Sequence, residues 1–246
     1  METTPNAASG SAISEDPHPE LRDCIDVDIY FEPVRHNSTA AYKKFIEDFR
    51  RALLPHKWQK FIGEVRVTWT LYQDEQTRAE TDKMADLDNM AKGLNDAIKG
   101  PGGLLIDDSQ IQSLNISWID RHFDHEPYVH LRIEDPFIIA VREPFRIYEM
   151  SDKRFYPIHT QNDIRLEHFL LDTMDSSISH TSRMIGMHLQ DSDDKKMRYE
   201  LTRRHGLISP GFIKPRVADS GFELVPYDDW RPRVPTDYQL TPDTEN

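Results

Sequence analysis

ADLDNMAKGLNDAIKGPGGLLIDDSQIQSLNISW, residues 85–118, is the stretch that organises the chain. Asp86 and Asp88 stand where an extended segment gives way to a helix. Alternation in the extended segment points both carboxylates the same way. Met90, Leu94, Ala97 and Ile98 then form an apolar stripe at helical spacing. Asp88 is placed to accept hydrogen bonds from the first free amides of that helix, where its charge is favoured. Lys92 lies one turn beyond Asp88 on the same face. Gly100, Pro101, Gly102 and Gly103 end the helix and reverse the chain. Leu104 to Ile106 read as a buried strand that delivers Asp107 and Asp108.

A helix joining two extended segments can return both acidic groups to one edge of a sheet. Carboxylates gathered there repel one another unless a positive charge lies between them. A hard divalent cation with oxygen ligands meets that need; magnesium takes one or two carboxylates, several waters and a substrate phosphate. The chemistry this suggests is metal-assisted attack of water on a phosphodiester. Lys92 is placed to stabilise charge developing on the phosphate. Taken singly, an Asp-x-Asp is ordinarily a helix cap, an Asp-Asp a turn and a helix lysine a solvated side chain. The combination at this spacing carries the reading.

The chain has 246 residues, enough for one sizeable core with an extension or for two small domains. Hydrophobic residues make up 37% and charged residues 30%, and no apolar run is long enough to span a bilayer. The opening residues lack the basic start and apolar stretch of a secretory signal. Cys24 is the single cysteine, so no intrachain disulfide can form and a cytoplasmic setting is expected. The net charge of −13 works against a nucleic-acid partner, whose phosphates are ordinarily met by Lys and Arg.

Residues 1–22 read as a disordered lead. Strands are expected near 25–31, 64–72, 104–107, 111–118 and 128–133, and helices near 39–54 and 89–99. The first helix buries Tyr42, Phe45, Ile46, Phe49 and Leu53, while Lys43, Lys44, Arg50 and Arg51 lie off that stripe as a candidate phosphate surface. Trp69 falls on the apolar set of its strand and reads as core. His122, Asp124 and His125 have the residue types of a transition-metal site but read as a polar loop. Residues 23–135 form the expected core, 136–206 an extension with strands and helices, and 207–246 a proline-containing extended or disordered tail. Within the extension, 162–174 and 176–189 read as two helices.

Asp86, Asp88, Asn89, Lys92, Asp96, Ala97, Asp107, Asp108 and Gln110 together resemble the signature of the RusA family of Holliday junction resolvases. The turn Lys99–Gly103 is slightly longer than the family's. The resemblance covers about Ile25 to Asp135 and implies an α+β core, a mixed sheet with packed helices; the residues beyond it read, from their own pattern, as a mainly helical or irregular C-terminal extension. It implies that Asp86, Asp88 and Asp108 hold magnesium, with manganese as the alternative, that Asp107 lies nearby, and that Lys92 is catalytic. It also implies a homodimer acting on four-way or branched DNA. The loop carrying Arg35 and Asn37 is expected near the DNA, and Arg78 and Lys83 lie close in sequence to the metal residues. Two other readings stay open: a non-catalytic module binding DNA or protein, and a nuclease for other branched DNA.

Overall fold

Apolar and polar residues alternate along Val65–Gln73, and a strand with one buried face is the consequence. In the computed structural model this is β3, the centre of a four-stranded sheet with β1 (Cys24–Ile29), β4 (Ile111–Asp120) and β5 (Tyr128–Glu134). The structure describes residues 21–30, 39–80, 86–120, 126–135, 137, 140–188 and 211–231. The strand order is β1-β5-β3-β4, antiparallel except for the parallel β3/β4 pair. Val65, Val67, Trp69 and Leu71 are all essentially buried under α1 (Thr39–Ala52), which lays Phe45 and Phe49 on that face, with Leu53 just beyond its end in the same core. Trp69 is core, as its parity in the strand implies, and its indole N–H donates to Asn95 Oδ1 at 3.0 Å.

A parallel pair needs a crossover, and here the crossover is the organising stretch. It leaves β3 through the short helix α2 (Glu75–Glu80) and returns as α3 (Leu87–Ile98). Met90, Leu94, Ala97 and Ile98 are buried, as their spacing dictates. The reversal after α3 is tight. Gly100 has φ +81°, and a Cβ on Gly103 would lie 2.1 Å from the Ile98 carbonyl oxygen. That carbonyl accepts both Leu104 N–H, at 2.7 Å, and Leu105 N–H, at 2.9 Å. Leu104–Ile106, expected as a strand, is instead a buried segment tied by single bridges of Leu105 to Phe61 and Lys99. An apolar run bounded by glycines and acids shows burial without showing a ladder partner.

Two cations hold this reversal from behind. Lys60 is fully buried, and its ammonium donates to the carbonyls of Gly103 at 2.7 Å and Gly100 at 3.0 Å. Burial pulls its pKa down to about 8, with Glu143 4.0 Å away opposing the shift. Arg50 donates to the carbonyls of Lys99 at 2.8 Å and Ala97 at 3.3 Å. The sequence placed Arg50 on a candidate phosphate surface; the structure corrects that, because free carbonyls at a helix end attract the nearest cations. Gln110 fastens the next corner. Its side-chain oxygen accepts Ile106 and Asp107 N–H, and its side-chain nitrogen donates to Phe61 and Gly63 carbonyls, all within 3.0 Å.

The C-terminal part packs onto this core. Strand β2 (Gln59–Phe61) pairs with β6 (Ala140–Arg142). Strands β7 (Phe145–Glu149) and β8 (Phe155–His159) pair antiparallel, and β9 (Leu224–Val225) joins β7 in parallel. Residues 164–188 form one 25-residue helix, α4 (Ile164–His188), where the sequence suggested two. No helix among the described residues is long and apolar enough to cross a membrane. The region expected as a tail is ordered over 211–231. It includes α5 (Lys214–Val217) and α6 (Tyr227–Trp230), with Phe212, Val217 and Trp230 buried. Its turns are too short to show a period, and its order comes from contacts distant in sequence. Phe212 and Phe155 exchange backbone hydrogen bonds at 2.9 Å, and Trp230 donates to the Glu149 carbonyl at 2.8 Å.

Replacing Lys60 with alanine empties a buried volume and strands two carbonyls; a loss of about 3 kcal/mol is expected. Gln110→Ala leaves four backbone groups unpaired, and a similar loss of roughly 2–4 kcal/mol is expected. Urea unfolding checks both, and a midpoint unchanged from the parent chain would refute the assigned roles.

Candidate active site

Helix α3 begins one residue after Asp86, which occupies the N-cap position with extended backbone. Its carbonyl accepts Met90 N–H at 3.1 Å, but its carboxylate makes no backbone cap bond and instead accepts the side-chain amide of Asn89. Asp88 lies inside the first helical turn. The expected extended pair facing one way is therefore replaced by a cap residue and a helical residue, both exposed. The positive end of the helix favours both charges. Lys92 stands one turn on from Asp88 on the same face, exposed, and forms no ion pair with the described residues.

The second acidic group sits at the other end of α3. Asp108 Oδ2 accepts from Lys99 Nζ at 2.9 Å, and the same ammonium reaches Asp96 Oδ1 at 2.8 Å. Burial opposes the Lys99 charge, yet the hydrogen bonds to Asp96 and Asp108 outweigh it and hold the pKa above its ordinary value. Asp96 pairs with Lys99 and accepts the Tyr42 hydroxyl at 2.6 Å. Burial first, and then that hydrogen bond, push the Tyr42 phenol far up. Asp107 is nearly buried. Its Oδ1 accepts Ser109 N–H at 3.0 Å and lies 3.3 Å from Arg216 Nη1. Arg216 Nη1 also lies 3.7 Å from Asp108 Oδ1.

One cleft runs along α3 between these ends. Asp88, Lys92, Asn95, Asp96, Lys99 and Asp108 line it, with Leu87, Ala91, Leu114 and Ile116 as its apolar side. Asp88 and Lys99 are separated by about 16 Å of helix rise. The expectation that both acidic groups return to one sheet edge is thus corrected. Parallel β3 and β4 start at the same edge, so the crossover helix begins at one edge and ends at the other. Asp88 and Asp108 fit a hard cation by chemistry: oxygen donors, exposed or half-exposed, lining an open cleft. They do not form a finished cage in one chain, because among the described residues no three His, Cys, Asp or Glu side chains gather around one point.

Of the residues expected at DNA, Arg35, Asn37 and Lys83 lie outside the described residues, as do His122, Asp124 and His125. Arg78 is within α2, with its side chain outside the described set. Lys43 is exposed on α1, and Lys44 is exposed with an ion pair to Asp48 at 2.8 Å. Arg51 shares that aspartate at 3.0 Å. Sequence reasoning missed Lys99 and Arg216. Lys99 had a local signal, three residues after Asp96 at the end of a helix. Arg216 had none, being more than a hundred residues from its partners.

The strand–helix–strand unit bearing Asp86, Asp88, Lys92 and the Asp107–Asp108 pair agrees with the comparison to known families. Residues 12–134, half of the chain, match the family model described as endodeoxyribonuclease RusA. No curated protein matches the chain. The chain belongs to the RusA endodeoxyribonuclease family.

Proposed function

We propose that this chain is a divalent-metal-dependent endonuclease that resolves four-way DNA junctions as a homodimer. The observation that carries the reading is the cleft along α3, which holds Asp88, Lys92 and Asp108 together with an open mouth. Asp86, Asp88 and Asp108 would hold magnesium or manganese. Such an ion supplies Lewis acidity and a hydroxide nucleophile at neutral pH. Lys92 faces the cleft and carries no protein counter-charge among the described residues, so its ammonium is available to a phosphate. It stabilises negative charge that grows on the non-bridging oxygens as water adds to phosphorus. Asp107 acts through its cap: it fixes the turn that aims Asp108.

The two-ended cleft supports a dimer. Strand β4 is an edge strand, and Leu114 on its core-side face is 43% exposed, with Ile116 and Trp118 half-buried beside it. A second copy laid across this strip by a twofold axis pairs each end of one cleft with the opposite end of the other. Asp86 and Asp88 of one chain then meet Asp108 of its twin, and two equivalent sites result. A junction has near-twofold symmetry and needs two related cuts.

The net charge of −13 favours a second reading, a non-catalytic module that binds DNA or protein. Cleavage of a labelled mobile four-way junction in magnesium or manganese, beside linear and flapped duplexes, separates the readings. Paired nicks on the junction support the resolvase; nicks on flaps alone move the activity to other branched DNA. Folded protein that binds junctions and cuts nothing in either metal establishes the module.

Asp88→Asn is expected to remove cleavage by about a thousandfold while junction affinity stays within a few-fold. Lys92→Ala is expected to lower cleavage about a hundredfold or more with metal affinity retained. Mixing inactive Asp88→Asn and Asp108→Asn chains should restore nicking of one strand, since a mixed dimer then contains one intact site. Mixed chains that exchange subunits and remain inactive would refute the shared site.

A further inference from the structure

Arg216 is brought to the acidic pair from the far end of the chain by a built segment. Val217 beside it is fully buried, and Phe212 is locked to Phe155 by two backbone hydrogen bonds. Ser220 and Gly221 rest against Gly100 and Pro101 of the glycine turn. The guanidinium therefore arrives on a fixed backbone. Its Nη1 stands 3.3 Å from Asp107 Oδ1 and 3.7 Å from Asp108 Oδ1. Lys99 covers the other oxygen of Asp108 at 2.9 Å. The proposed metal ligand of this end is thus flanked on both oxygens by protein cations.

Resting on the metal-dependent reading above, we infer that Arg216 is an internal counter-ion of the acidic pair that opposes a divalent cation at Asp108 and so sets the metal concentration at which the site fills. The sign follows from Coulomb's law. A fixed positive charge a few ångströms from the ligand oxygens repels an incoming dication more strongly than it repels a monovalent ion. The arginine is 49% exposed, so screening reduces the effect without cancelling it. Removing the charge tightens divalent binding. Arg216 acts through Asp107 and Asp108 and is a positioning and charge-setting residue.

The test is manganese binding to the full chain at low ionic strength, read as loss of the free-ion electron spin resonance signal. The parent chain, Arg216→Gln, Arg216→Lys and Arg216→Glu are compared, each first shown to melt like the parent. The expected result is roughly three- to tenfold tighter binding for Arg216→Gln and tighter still for Arg216→Glu. Arg216→Lys keeps the charge and stays within about twofold of the parent. The differences shrink as salt rises through the range where the Debye length falls below about 10 Å. If Arg216→Gln melts early, the Arg216→Lys and Arg216→Glu pair alone decides the sign. Unchanged or weaker binding in the neutral and acidic variants, with the parent binding normally, overturns the inference and leaves the nuclease reading intact. A parent chain whose binding matches that of Asp88→Asn and Asp108→Asn overturns both.

Discussion

The carbonyls at the C-terminal end of α3 set the terms for everything around them. A helix end inside a protein leaves acceptors without partners, and a chain that must turn at once cannot satisfy them with water. Arg50 from α1 and the fully buried Lys60 from β2 fill that need. Each has few alternatives. Moving Lys60 would leave both an unpaired ammonium and unpaired carbonyls inside the core. The reversal at Gly100–Gly103 is therefore fixed by charge as well as by steric room, and the position of Lys99 and Asp108 follows from it.

From that corner the polar connections continue outward. Gln110 ties the acidic turn to the Phe61 and Gly63 backbone, and Asp107 caps the same turn. Phe145 and Phe222 from the C-terminal part lie within 6 Å of the Lys60 ammonium. The C-terminal part is thus built into the support of the acidic pair. Ile62 and Ile106 from the family-like core share an apolar cluster with Ile147, Phe155, Phe212 and Val217.

The sheet and its two principal helices were legible because each buries one face. Val65, Val67, Trp69 and Leu71 alternate, and Met90, Leu94, Ala97 and Ile98 recur at helical spacing, so burial leaves its period in the residues. Leu104–Ile106 has burial without a period, and it was read as a strand. The candidate residues were legible by spacing, but the distance between them was not. That distance depends on whether β4 runs parallel or antiparallel to β3, a choice that neither strand's pattern records. Arg216, Phe212 and Trp230 owe their places to contacts far along the chain, in a stretch whose apolar residues follow no regular period.

Parallel pairing of β3 and β4 then has a consequence for where the acidic groups stand. A crossover helix must carry the chain from one edge of the sheet back to the other, so the groups at its two ends stand a helix length apart. For one chain this is a poor way to hold one ion. In the proposed dimer the same separation becomes useful, since each end would be completed by the opposite end of the twin. The same geometry spaces two identical sites symmetrically about the axis. A substrate that must be cut twice, at points related by its own near-twofold symmetry, calls for that arrangement. The separation of the acidic groups along α3 supports the paired-cut reading more strongly than a preassembled cluster in one chain would.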